Sequence, residues 1–264
     1  MKINRILLAL AAAQCGLGGA AWAQSSTPNE PIEPGIPPLI TDRPDFTESP
    51  QTVPKGMVQI EAGATFERSG DARATTLGET LIRVAAGNSA EIRIGIPSYL
   101  RLRDGGRANG LDDAFLGAKF ALVKRDKFPL SVLVGSTLPT GSRRVAAREF
   151  SPELVLASEV DLSKKIGVAV NLGTGRPSEG NGRFSQFFGS ASFGFDLSKR
   201  VGAYAEVYAF NRTERGGNTQ KFVNGGFTYA VNPNLQLDTR LGFRLGNDVG
   251  GPDYFYGVGV AQRF

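Results

Sequence analysis

Histidine is absent from the 264 residues, tryptophan and cysteine occur once each, and methionine occurs twice. Without imidazole there can be no Ser-His-Asp or Cys-His catalytic set, no His-bearing zinc site and no histidine general base. The single cysteine, Cys15, lies close to the N-terminus, so neither a disulfide framework nor a redox pair is expected. Beyond the first residues, no apolar run approaches the ~20 residues of a membrane-spanning helix. No catalytic, cofactor-binding or metal-ligating set stands out. What is abundant is glycine, 34 residues, with 17 phenylalanines. Plentiful glycine and aromatics without long apolar runs fit an all-β protein.

Lys2 and Arg5 precede the apolar run Ile6 to Ala13, and Ala21-Trp22-Ala23 precedes Gln24. A basic start, a short apolar stretch and an A-x-A-like site make residues 1–23 a secretory signal peptide. Cleavage after Ala23 removes Cys15. It also leaves 28 basic residues (30 less Lys2 and Arg5) against 25 acidic ones, a formal charge of +3. Charges of both signs are interspersed, so no nucleic-acid partner is expected.

Eight of the fifteen prolines lie between Pro28 and Pro54. Proline removes backbone donors and fixes φ, so neither a helix nor a central strand runs through this stretch. Residues 24–54 form an extended arm. The part from Thr41 to Ser49 carries Asp42, Arg43, Asp45 and Glu48, too many charges for a plain spacer. It reads either as a solvated tether or as a segment docked inside the following domain, residues 55–264.

From Met57 onward, apolar and polar residues alternate with a period of two, as in Val58, Ile60, Ala62, Ala64 and Phe66 against Gln59, Glu61, Gly63, Thr65 and Glu67. Tight-turn signals near residues 88, 126, 163, 198 and 232 recur every 34 to 38 residues. Longer Gly- and Arg-rich segments lie between them, such as Asp104 to Gly110 and Gly175 to Gly182. Each repeat has room for two strands, one short turn and one long loop. That pattern predicts twelve strands, near 57–67, 77–87, 89–100, 112–123, 128–138, 150–162, 165–174, 185–197, 200–210, 220–231, 234–245 and 254–264. Short turns on one side and long loops on the other describe a single closed antiparallel transmembrane β-barrel.

Alternation places Glu61, Glu67, Arg83, Glu91, Arg93, Lys119, Glu153, Glu159, Glu206, Asp238, Arg240, Arg244 and Arg263 toward the lumen. Two readings stand side by side: mixed charges that pair and fill a narrow barrel, or a charged pore lining. Asp42, Arg43, Asp45 and Glu48 could pair with this wall and hold the arm as a plug. Tyr204, Tyr208 and Phe210 read as an aromatic patch for permeants or as a packing or girdle group. Arg143, Arg144 and Arg148 read as a solvated loop or as a contact to lipopolysaccharide phosphates. The chain stops at Phe264 after an alternating strand, which resembles the signal read by the bacterial barrel assembly machinery.

Several motifs resemble the outer-membrane family of meta-pathway phenol-degradation proteins, described as transporters. They are Thr41-Asp42-Arg43-Pro44-Asp45-Phe46-Thr47-Glu48-Ser49, Val53-Pro54-Lys55-Gly56 with Gln59 and Glu61, and Gly110-Leu111-Asp112-Asp113 with Gly117 and Lys119. Leu138-Pro139-Thr140-Gly141, Pro233-Asn234 with Gln236 and Asp238, and the terminal Arg263-Phe264 complete the set. The resemblance implies an outer-membrane barrel that moves aromatic or other hydrophobic compounds. The expectation is a passive channel for small molecules, set in outer-membrane lipid and lipopolysaccharide of a Gram-negative-type bacterium. A structural barrel and a histidine-free barrel enzyme acting on lipid are the alternatives.

Overall fold

The computed structural model describes residues 37–124, 127–179, 182–246 and 250–264. The expected signal peptide, the arm as far as residue 36 and the Arg125-Asp126 turn lie outside the described residues. Seventeen strand segments follow one another in these residues. The first seven are β1 (Val58–Ser69), β2 (Ala72–Leu77), β3 (Thr80–Ala85), β4 (Ala90–Ile96), β5 (Tyr99–Arg103), β6 (Arg107–Leu111) and β7 (Ala114–Val123). Next come β8 (Leu130–Leu138), β9 (Ser151–Ser163), β10 (Ile166–Gly175) and the two-residue pair β11 (Ser178–Glu179) and β12 (Gly182–Arg183). The chain ends with β13 (Gln186–Asp196), β14 (Val201–Phe210), β15 (Gln220–Asn232), β16 (Leu235–Leu245) and β17 (Tyr254–Arg263).

Three barrel strands are interrupted, at Gly78-Glu79 between β2 and β3, at Pro97-Ser98 between β4 and β5, and at Asp112-Asp113 between β6 and β7. Pro97 cannot donate to a ladder, and Gly78 takes a φ of +78° suited to glycine. With each interrupted pair taken as one strand, and β11–β12 as a hairpin within a loop, twelve antiparallel strands form the wall. β17 pairs with β1 from Gln59↔Arg263 to Arg68↔Tyr254 and closes it. Among the described residues only β6 of the wall, above the apolar band, lacks a second partner; within the band the sheet is closed, the one solution for a sheet surrounded by lipid.

The wall is inverted relative to a soluble barrel. Ile92, Ile94, Leu116, Phe120, Leu156, Leu172, Phe193, Val207, Phe227, Leu241 and Val258 are exposed, whereas Arg83, Arg93, Lys119, Glu61, Glu91 and Glu206 are among the most deeply buried side chains. Apolar side chains that would be a liability in water face outward, and charged ones fill the inside.

Nine of the twelve strands, the first included, start and end within about two residues of their expected positions. The second, third and fourth depart from expectation. Residues 72–76, 101–103 and 107–111, read as loop, are strand, so the expected Asp104–Gly110 loop shrinks to a turn at 104–106. These extensions rise above the apolar band, and their alternation is reversed. Arg73, Arg101, Arg103 and Arg107 point outward, while Ala72, Ala74, Leu100, Leu102 and Ala108 form a buried cluster with Val145 of the 139–150 loop.

Candidate functional site

The inward positions of β1, β3, β4 and β7 carry Gln59, Glu61, Arg83, Glu91, Arg93 and Lys119, and residues 37–54 of the arm lie against them. Thr41, Asp42, Asp45, Thr47 and Ser49 have no exposed surface at all. Asp42 is at the centre. Its carboxylate pairs with Arg83 at 3.2 Å, with Lys119 at 3.2 Å and with Arg93, while its N–H donates to both Glu61 oxygens at 2.9 and 2.8 Å. Arg83 grips Glu91 with two parallel bonds of 2.9 and 3.0 Å, the fork geometry that favours arginine over lysine. Glu48 pairs with Arg93 at 2.9 Å and Lys119 at 3.6 Å, and the Val53 N–H donates to Glu91 at 2.8 Å.

Burial alone would raise the Asp42 carboxyl, but Arg83, Arg93 and Lys119 together hold it well below the usual carboxylate range. Burial pushes Glu48 up to about 8, with Asp42 adding to the rise and Arg93, Lys119 and Arg83 opposing it. The sign for docking follows. An acid whose pKa is higher docked than free favours docking at low pH, and that contribution fades as pH rises from its ordinary value toward 8. Conductance is therefore expected to increase between pH 5 and pH 8 in the intact channel. Glu48→Gln should flatten this dependence, and an unchanged pH profile in that variant would refute the assignment.

Farther along the arm, Arg43 pairs with Glu79 at 2.9 Å and lies 3.6 Å from Asp238. Its guanidinium fills a slot at the closing seam between two facing glycines, Gly63 and Gly259, where an added Cβ would come within 2.2 and 2.3 Å of it. Gly63→Leu should therefore expel Arg43 while leaving the β1–β17 ladder intact. The expected result is a raised conductance from a barrel of unchanged heat-modifiable mobility on gels.

Phe46 enters an aromatic cluster. It stacks on Tyr208 at 4.5 Å and meets Phe188 and Phe210 edge-on at 5.7 and 5.3 Å. Phe210, Phe188, Phe222 and Phe255 form the buried group around it with Leu133, Val155 and Ala157. The Phe188 ring lies over Gly173, where a Cβ would stand 2.0 Å from it. Glu206 accepts from the Phe46 N–H at 2.8 Å and from Thr47 and Asn224. Tyr204, Tyr208 and Phe210 thus belong to the interior and not to a lipid-facing girdle.

The remaining expected residues divide. Asp45 is buried. Arg240 pairs with Glu79 at 3.6 Å, donates to the Pro44 carbonyl at 3.3 Å and lies over the Phe255 ring. Glu159 accepts from Gln51 at 2.8 Å, and Arg263 donates to the Pro37 and Pro38 carbonyls at 2.7 and 3.0 Å. Arg244 is not part of this assembly, since it pairs with Asp253 at the opposite end of the strands. Glu153 is half-buried and enters none of the ion pairs among the described residues. Glu79 was missed, although it shares the parity of Arg83. It sits in the break between β2 and β3, where alternation is least visible. No group of three or more acids or cysteines suited to a metal ion occurs among the described residues.

Residues 41–264 match the family model described as "Putative MetA-pathway of phenol degradation". The chain belongs to this family. Its match begins at Thr41, so the buried arm segment is included. Two motif pieces that are distant in sequence meet in the fold. Asp113 accepts from the N–H groups of Gly141 and Arg148 at 2.8 and 2.7 Å, and Thr140 accepts from the Ala114 N–H at 2.8 Å. These bonds fold the 139–150 loop inward.

Among solved structures, the fold is similar to the COG4313 outer membrane channel from Pseudomonas putida F1, with a TM-score of 0.62 and 14% identity over 81% of this chain and 97% of that one. It is also similar to the KdgM porin, with a TM-score of 0.54 and 12% identity over 78% and 99%. The NanC porin gives a TM-score of 0.52 and 11% identity over 78% and 98%. No curated protein matches the sequence.

Proposed function

We propose that the chain is an outer-membrane channel for the passive passage of small molecules, in which the arm, residues 24–54, acts as a plug through its described part, residues 37–54. The observation that carries this reading is the inverted wall: an exposed apolar band encloses an interior of charged and polar side chains. Membership of the family and the likeness to channels and porins support it. The lumen residues then have two tasks. Glu61, Arg83, Glu91, Arg93 and Lys119 hold the arm at one level, and Glu206, Asp238 and Arg240 hold it at another.

The aromatic wall of Phe188, Tyr208, Phe210 and Phe222 would face the lumen once Phe46 leaves it. Such a surface favours aromatic or other hydrophobic compounds as permeants. Phe264 is exposed and paired with Val58 through both backbone bonds, at 3.1 and 2.8 Å, a position from which its ring could be read by the barrel assembly machinery. Liposome swelling with sugars and small aromatic solutes, run beside a lipid-hydrolysis assay, tests the reading. Swelling without hydrolysis is expected. Hydrolysis without swelling would replace the channel with an enzyme.

A further inference from the structure

The outer surface above the apolar band carries a row of arginines on four adjacent strands. Arg68 on β1 lies directly opposite Arg73 on β2, Arg73 opposite Arg103 on β5, and Arg103 opposite Arg107 on β6. At the usual strand spacing the row spans about 15 Å. One pair lower, Arg101 lies opposite Asn109 and adds a fifth guanidinium on the same face. The next pair down is Leu77 opposite Tyr99, where the apolar band begins. Like charges placed directly across a ladder repel, so this row weakens the hairpins that carry it. None of the five arginines forms an ion pair among the described residues. Asp253, the acid nearest Arg68 across the seam, is engaged by Arg244 and by the Gly70 N–H. Asp71 and Asp104 lie in the hairpin turns at the top.

A cavity of about 310 Å³ opens beneath the row, bounded by Arg68, Arg73, Arg101 and Arg103 with Phe66 and Tyr256. The last two rings stack at 5.1 Å on the outer face, at the level where acyl chains meet headgroups. The row lies at the end of β1 away from the chain terminus and the short turns, on the side of the longer loops. In an outer-membrane barrel that side faces the outer leaflet.

We propose that this arginine row and the cavity beneath it bind the phosphorylated headgroup of the outer-leaflet glycolipid, lipid A. The guanidinium forks take its phosphates, and the Phe66–Tyr256 stack packs against the start of its acyl chains. The inference rests on the outer-membrane reading given above. It places the lipopolysaccharide contact on the barrel wall and not on Arg143, Arg144 and Arg148 of the 139–150 loop.

The test uses the full mature protein in detergent, with retention of diphosphorylated lipid A, dephosphorylated lipid A and inorganic phosphate as probes. Binding of the diphosphorylated form is expected to exceed that of the dephosphorylated form by at least about tenfold and to weaken with salt. Arg73→Ser with Arg103→Ser should remove that advantage. Arg68→Ser with Arg107→Ser, at the ends of the row, should reduce it, and Arg143→Ser with Arg144→Ser should leave it unchanged. Equal binding of both lipids, full retention by the Arg73/Arg103 variant, or displacement by low-millimolar inorganic phosphate would overturn the proposal. Conductance of the same variants separates the two readings. A wild type that binds lipid A but passes no solute refutes the channel alone, and conducting variants with unaltered lipid binding refute the arginine row alone.

Discussion

Removal of residues 24–54 is expected to raise single-channel conductance several-fold while the barrel still assembles. The arm's buried residues occupy the lumen at two levels, the Asp42 cluster and the Phe46 cage. The wall does not depend on them for its ladder, because every strand pairs with two neighbours around the closed sheet. The cations and acids stripped of their arm partners would be rehydrated by water entering the lumen, so the large penalty of an unpaired buried charge is avoided. The same argument predicts some loss of thermal stability, since the aromatic cluster loses its central ring. Unchanged conductance in planar bilayers would mean that the arm is not the restriction.

The second large effect is expected from Asp42→Ala. Asp42 is the acid shared by Arg83, Arg93 and Lys119, and breaking a buried charge network by removing one partner typically costs about 3–5 kcal/mol. That cost falls on the docked arm and not on the wall, so the arm should become sensitive to added protease while the barrel keeps its folded mobility. A second change, Lys119→Met, removes one of the stranded cations and should restore part of the protection. Equal arm protection in Asp42→Ala and wild type would show that the ion cluster does not hold the arm. A loss of protection that Lys119→Met does not relieve at all would point to the backbone bonds of Asp42 instead.

The barrel was legible because its two solvents differ. Lipid outside and polar contents inside impose a strict alternation, as in Ile92, Ile94 and Ile96 against Glu91, Arg93 and Gly95. Where the apolar band ends, at residues 72–76, 101–103 and 107–111, the outward positions turn to arginine and the inward ones to alanine and leucine. The pattern then reads as loop although the ladder continues. The break at Gly78-Glu79 hid Glu79 for a related reason, since parity is harder to follow across an interruption. The partners of individual charges could not be read from alternation, which gives a face and not a height. Arg244 shares the face of Arg240 but lies near Asp253 and the loops, whereas Arg240 reaches Pro44 and Glu79.

The most direct test of an arm that restricts a passive channel is to fix the arm in place. The Thr47 and Ser190 hydroxyls are 2.8 Å apart, joining arm to wall. The chain after Ala23 contains no cysteine of its own. Thr47→Cys with Ser190→Cys, oxidised to a disulfide, should hold conductance far below that of the arm-deleted barrel, and reduction should restore the behaviour of the unmodified channel. A locked channel that conducts as well as the arm-deleted barrel would contradict the account.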